Sequence, residues 1–229
     1  MFYVSPLTSH FHRVGLCVLA VCLLGVSITG CVRLLEPRQS EAKYYLLNDT
    51  QNWNAPSSDT TGLTVGLRQP RMASYLSATR IVTRRGAHQV HFSEFHRWGE
   101  DLNQGISRTV AQALAAQPGI NSVEVVPWPK GVTFDYVVQL HVLSFEGVGP
   151  PPDPDADEDT PPPEGHTRMA VEWKILDMTG DTALARGRTH HQDDGWRVGH
   201  YDALTASLGE GLATLADDIG ARLDTLDRP

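Results

Sequence analysis

The last part of the chain carries one apolar stripe and only one. Leu204, Leu208, Leu212, Leu215, Ile219, Leu223 and Leu226 step by four or three residues, the spacing that lines up side chains on one face of an α-helix. Gly209, Gly211 and Gly220 weaken this helix locally. A helix of more than twenty residues with a single apolar face needs one surface to cover. A second stripe, Trp98, Leu102, Ile106, Val110 and Leu114, makes the same demand and stops at Gln117-Pro118-Gly119. One sheet with both helices on the same side satisfies both.

The strands for that sheet are legible from their period of two. Lys43 to Leu47, Leu63 to Leu67 and Ser122 to Val126 are short strands, the last stopped by Pro127 and Pro129. Arg80 to Arg85 and His88 to Ser93 flank Gly86 and predict a hairpin turning at Arg85-Gly86-Ala87. Phe134 to Phe145 is long, with Val137, Val138, Leu140, Val142 and Leu143 around Gln139 and His141. Met169 to Leu176 and Ala183 to His190 pair around Thr179-Gly180-Asp181. Residues 149–165 hold Asp, Glu and Pro and no large apolar side chain, so they predict a solvated, disordered loop between two strands. Asn48 to Thr60 predicts a further loop. The expected class is α+β, a single mixed or antiparallel sheet covered by two long amphipathic helices.

This domain, 43–229, follows a different kind of segment. Val14 to Ile28 is an apolar run of signal-peptide length, short for a transmembrane helix. It is preceded by Arg13, with His10 and His12, and ends in Ile28-Thr29-Gly30-Cys31. An aliphatic residue, two small residues and a cysteine form a lipobox. Small residues let a peptidase draw extended backbone into a narrow cleft, and a thiolate forms a thioether with a diacylglyceryl group. Residues 1–30 are therefore expected to be a cleaved lipoprotein signal peptide, with Ile28, Thr29 and Gly30 as the peptidase recognition residues. Cys31 is the lipidation site and 31–42 a lipidated tether. Three acyl chains, palmitate among them, make a stable anchor. By analogy with sorting rules in Gram-negative bacteria, Val32 in place of Asp favours the outer membrane, on its periplasmic face.

Charge and cysteine content agree with covalent anchoring. The net charge of -8 argues against a nucleic-acid partner, which would need a basic face. It also argues against electrostatic attachment to anionic lipid. The three cysteines are Cys17, Cys22 and Cys31, and two leave with the signal peptide. Disulfides, thiol catalysis and a cysteine zinc site are thereby excluded from the mature chain.

Patterns that carry chemistry are weak. Asp153, Asp155, Asp157, Asp159 and Glu164 fall at positions 1, 3, 5, 7 and 12 of a calcium-loop count. Yet Glu158 stands where that loop needs Gly, and prolines interrupt it. His190 and His191 are adjacent on a strand, so they point to opposite faces and do not share an ion. Trp98 and Trp196 each suit a core anchor or a docking surface; the core is expected for Trp98, which continues the helical stripe, and for Trp173, which alternates within a strand. No Gly-x-Ser-x-Gly elbow, phosphate loop, His-Glu-x-x-His or dinucleotide fingerprint occurs. No catalytic residue, cofactor or metal is assigned, and an enzyme is not expected.

The order of short motifs resembles a known family. Behind the lipobox come Lys43-Tyr44-Tyr45-Leu46-Leu47, Val65-Gly66-Leu67, Tyr75-Leu76, Arg80-Ile81-Val82-Thr83-Arg84 and Arg97-Trp98. Val126-Pro127-Trp128, Val138-Gln139-Leu140 with Phe145, Trp173 with Asp177, and Tyr201-Asp202-Ala203-Leu204 complete it. This series is similar to the ABC-type transport auxiliary lipoproteins, the PqiC/YmbA-like family. Two features depart from it: Pro70 stands several residues before Tyr75-Leu76, and the acidic loop looks like an insertion. The resemblance implies a lipid-anchored accessory or docking subunit of an intermembrane phospholipid transport system. Its implied partners are an MCE-domain protein and, in some systems, an ABC transporter. A homo-oligomer is compatible with this role, since a dock for a symmetric tube gains by matching its symmetry. A periplasmic lipid carrier and a membrane-anchored enzyme with a site assembled from distant residues are the alternatives. An apolar cavity would mark the first, and a polar pocket of perturbed groups the second.

Overall fold

The computed structural model describes residues 41–47, 62–157 and 159–226. The expected signal peptide, most of the tether, and Ile28, Thr29, Gly30 and Cys31 lie outside them, as does the loop expected at 48–60. The described residues form one mixed sheet and two helices. The strands are β1 (Lys43–Tyr45), β2 (Leu63–Leu67), β3 (Arg71–Met72), β4 (Arg80–Arg85), β5 (Gln89–Trp98), β6 (Ile120–Val125), β7 (Tyr136–Gly149), β8 (Glu164–Leu176) and β9 (Ala183–Arg197). The helices are α1 (Leu102–Ala115) and α2 (Tyr201–Asp224).

β7 is the spine. One edge pairs along its length with antiparallel β8, which in turn pairs with β9. The other edge is divided among three parallel partners: β2 at residues 136–138, β3 at 141–142 and β4 at 147–149. β2 carries β6 beyond it, while β4 carries β5 and then β1. The mixture follows from connection length: hairpins join β4 to β5 and β8 to β9, whereas β2 and β6 are joined through β3 to β5 and α1, and pair in parallel.

Alternation decides which side chains meet the helices. Val138, Leu140 and Val142 of β7 and Met169, Val171, Trp173 and Ile175 of β8 are buried in one cluster. The same cluster takes in Leu102, Ile106, Val110 and Leu114 of α1 and Leu204, Leu208, Leu212, Leu215, Ile219 and Leu223 of α2. Each fully buried leucine contributes roughly 1.5–3 kcal/mol. A second, small cluster of Phe134, Val137 and Leu176, with Trp128 against it, is separate from this core. The register of β7 against β8 shifts between Val142 and Ser144. That irregularity puts Phe145, three residues after Val142, back in the core and turns Glu146 away from it.

Several boundaries differ from the expectation. Trp98 ends β5 instead of opening the helical stripe; α1 begins at Leu102, capped by Asp101 Oδ1 accepting the Asn103 N–H at 2.9 Å. Trp98 is nevertheless buried, next to Phe145. β7 and β8 run to Gly149 and from Glu164, so the acidic connection is shorter than expected and its residues 150–157 are exposed. In α2, Gly211 is a close-approach position: a Cβ there would lie 3.1 Å from the His191 ring. Gly187 does the same on β9, where Trp173 lies across it and donates from Nε1 to Thr189 Oγ1 at 3.2 Å.

Candidate docking surface

α2 covers one face of the β7–β8–β9 ladder, while α1 packs on β6 and α2, and the other face of the ladder is polar. Its rows are set by cross-strand pairing, which places partners side by side. Gln139, Lys174 and Arg186 form one row, and His141, Glu172 and Arg188 the next. Arg71 of β3 extends the second row, being exposed and paired with His141 while its neighbour Met72 packs on the core. Glu172 bonds Arg188, and its Oε2 lies 3.7 Å from His141 Nδ1. The Arg188 guanidinium lowers the Glu172 pKa.

A third row, Glu146, Arg168 and Gln192, contains the one fully buried acid of this face. Arg84 Nε donates to Glu146 Oε1 at 2.9 Å and Arg168 Nη2 donates to the same oxygen at 2.6 Å. Tyr75 closes the site: its ring centroid is 5.9 Å from the Arg84 Cζ, and its hydroxyl donates to Leu143 O at 3.4 Å. The bond to Glu146 raises the Arg84 pKa, and burial raises that of Tyr75, with the Glu146 charge adding to it. Two arginines sharing one buried carboxylate hold three strands and the turn before β4 in fixed relation. Arg71, Arg84, Arg168, Lys174, Arg186 and Arg188 thus share a face with Glu146, Glu172 and Asp194. The arrangement offers charged hydrogen-bonding groups in ordered rows on one face of the ladder.

A different surface lies at the β1 edge. Tyr45 faces the core side, sharing a 2.8 Å hydrogen bond with His96 Nδ1. The His96 ring stacks on Tyr201 at 3.9 Å between centroids. Burial, and after it the Lys43 charge, lowers the His96 pKa. Tyr44, Leu46 and Phe95 are exposed by 67%, 51% and 45% of their surface.

The residues singled out in the sequence are dispersed. His191 meets Ser207 Oγ at 3.3 Å beneath α2, while His190 is exposed on the polar face. Asp153 accepts the Asp155 N–H at 3.0 Å, and Asp157 accepts the Thr160 hydroxyl at 2.7 Å. Glu164 stands on β8, 3.9 Å from Arg197. Among the described residues no group of three or more His, Cys, Asp or Glu is placed to hold a metal ion. Trp196 is buried and donates to His200 O at 2.9 Å, so it serves the core. Sequence reading missed the Glu146 cluster because the expected strand ended at Phe145. It also missed the exposure of Tyr44, although two adjacent tyrosines on a strand must face opposite ways.

Residues 45–220 match the family described as ABC-type transport auxiliary lipoprotein component. No curated protein matches. Two solved structures share the fold. One, described only as an uncharacterized protein, is 19% identical with a TM-score of 0.59, the alignment covering 80% of this chain and 99% of that one. The other, a Xanthomonas campestris protein of DUF330, is 14% identical with a TM-score of 0.60, at the same coverage of 80% and 99%. The family match takes in every strand from β2 to β9, α1 and nearly all of α2, and the chain belongs to the ABC-type transport auxiliary lipoprotein component family.

Proposed function

We propose that this chain is a non-catalytic, lipid-anchored docking subunit of an intermembrane phospholipid transport system, held by acylated Cys31 at the periplasmic face of the outer membrane. Its partner is an MCE-domain protein, with an ABC transporter at the inner membrane in systems that have one. The observation that carries this reading is the family match over 45–220 set directly behind Ile28-Thr29-Gly30-Cys31. Among the described residues no helix is long and apolar enough to cross a membrane; in this reading the lipid on Cys31 holds the domain at the membrane.

The geometry suits a dock. One face of the sheet is filled by side chains in a single buried cluster, which favours a rigid body over a carrier that must open for an acyl chain. The other face presents ordered charge to a partner. The test is recovery of the acylated protein from gently solubilised envelopes. Co-purification of an MCE-domain protein is expected, and clean recovery of the chain alone overturns the docking role. A Cys31→Ser chain is expected to remain uncleaved and to keep its leader, read by the mass of the purified protein.

A further inference from the structure

Three of the large apolar side chains exposed on the described surface, Tyr44, Leu46 and Phe95, sit on β1, the residue after it, and β5, its partner among the described residues. Tyr44 pairs in register with Arg97, two residues beyond Phe95. Leu46 lies over Gly99, 3.1 Å from where a Cβ there would stand. The backbone beneath them is fixed. Tyr45 and His96 are hydrogen bonded, His96 stacks on Tyr201, and Gly99 N donates to Tyr45 O at 2.8 Å. An apolar edge held rigidly in the open invites an occupant.

We propose that this edge is a membrane-contact surface, with Tyr44, Leu46 and Phe95 seated in the interfacial layer of the bilayer that holds the acyl chains of Cys31. The inference rests on Cys31 being the lipidated residue. β1 is the first strand of the described fold after Cys31, and eleven intervening residues reach at most about 40 Å when fully extended. The anchor thus delivers this edge to the lipid surface as an intramolecular event, so a small patch suffices where a free protein would need a large one. Tyrosine and phenylalanine suit the boundary between headgroup and hydrocarbon, because each pairs apolar area with tolerance of that layer. Lys43 and Arg97 are offset by Glu41 and Glu94 around the patch, and the whole chain carries -8. The contact is therefore apolar, with little call on anionic lipid.

The test uses the full acylated protein in vesicles of phosphatidylethanolamine and phosphatidylglycerol. Cys31 is blocked by its own lipid, so Tyr44→Cys and Phe95→Cys each accept one nitrobenzoxadiazole label. Met178→Cys and Leu184→Cys serve as exposed controls at the β8–β9 turn. The labels at 44 and 95 are expected to emit at shorter wavelength and to be quenched several-fold more by lipid-borne nitroxide than those at 178 and 184. Leaving out phosphatidylglycerol or adding salt is expected to change neither result. Equal quenching at all four sites, or shielding of 44 and 95 that vanishes without anionic lipid, overturns the proposal. So does shielding that arises only when an MCE-domain protein is added. The mass of the N-terminal peptide separates the two readings: acylated Cys31 with unquenched labels removes the membrane contact alone, whereas an unmodified thiol removes the anchor and the contact together.

Discussion

The two faces of the β7–β8–β9 ladder come from alternate residues of the same three strands, yet they are held together by different physics. On the helix side, Leu140, Val171 and Ile175 lose all contact with water against Leu208 and Leu212. On the open side, Glu146 is the only acid fully buried, while Glu172 and Arg188, in another row of that face, remain close to half exposed. Burial of apolar area carries stability in proportion to area, whereas exposed ion pairs contribute little because water competes for both charges. The comparison teaches that one face makes the fold and the other keeps most of its charges in reach of water, with Glu146 as the exception, buried on the open face.

The largest effect should come from the helix side. Leu212→Ala is expected to cost about 2–5 kcal/mol, seen as a lower midpoint in urea unfolding. Glu146→Gln should follow at about 1–3 kcal/mol, because two arginines lose the charge they share while keeping some access to solvent. Glu172→Gln should leave the unfolding midpoint nearly where it was, since its pair lies at the surface. A Glu172→Gln loss equal to that of Glu146→Gln would break the distinction drawn between buried and exposed acids. A Leu212→Ala loss smaller than either would reverse the roles of the two faces.

Most of the helix side was legible in advance. Leucines recurring every three or four residues, from Leu204 to Leu223, report their own burial without knowledge of the partner surface. β2 was legible to the residue, since Val65 and Leu67 alternate cleanly between turn-forming neighbours. The open face was not legible. Glu146 lies beyond the irregularity at Leu143, where the phase of alternation resets, so period-two reading assigns no side to it. Its arginines come from β4 and β8, and only tertiary pairing brings positions 84, 146 and 168 together. β3 has two residues, too few to show any period. The spacing of four from Trp98 to Leu102 suggests a helix but is satisfied as well by the end of a strand followed by a cap.

The division of one edge of β7 among three partners has a mechanical consequence. β1 is held by three register pairs to β5, and β4 by three more to β7, whereas β8 grips β7 over nearly its full length. Tension applied to the polypeptide upstream of Glu41 enters through the three pairs of β1 and not through the long β7–β8 ladder. The first parts to yield under load are then the few bonds of β1 and the Tyr45–His96 clasp, leaving the packed body intact. A strand that peels and reseats spares the packed body from unfolding.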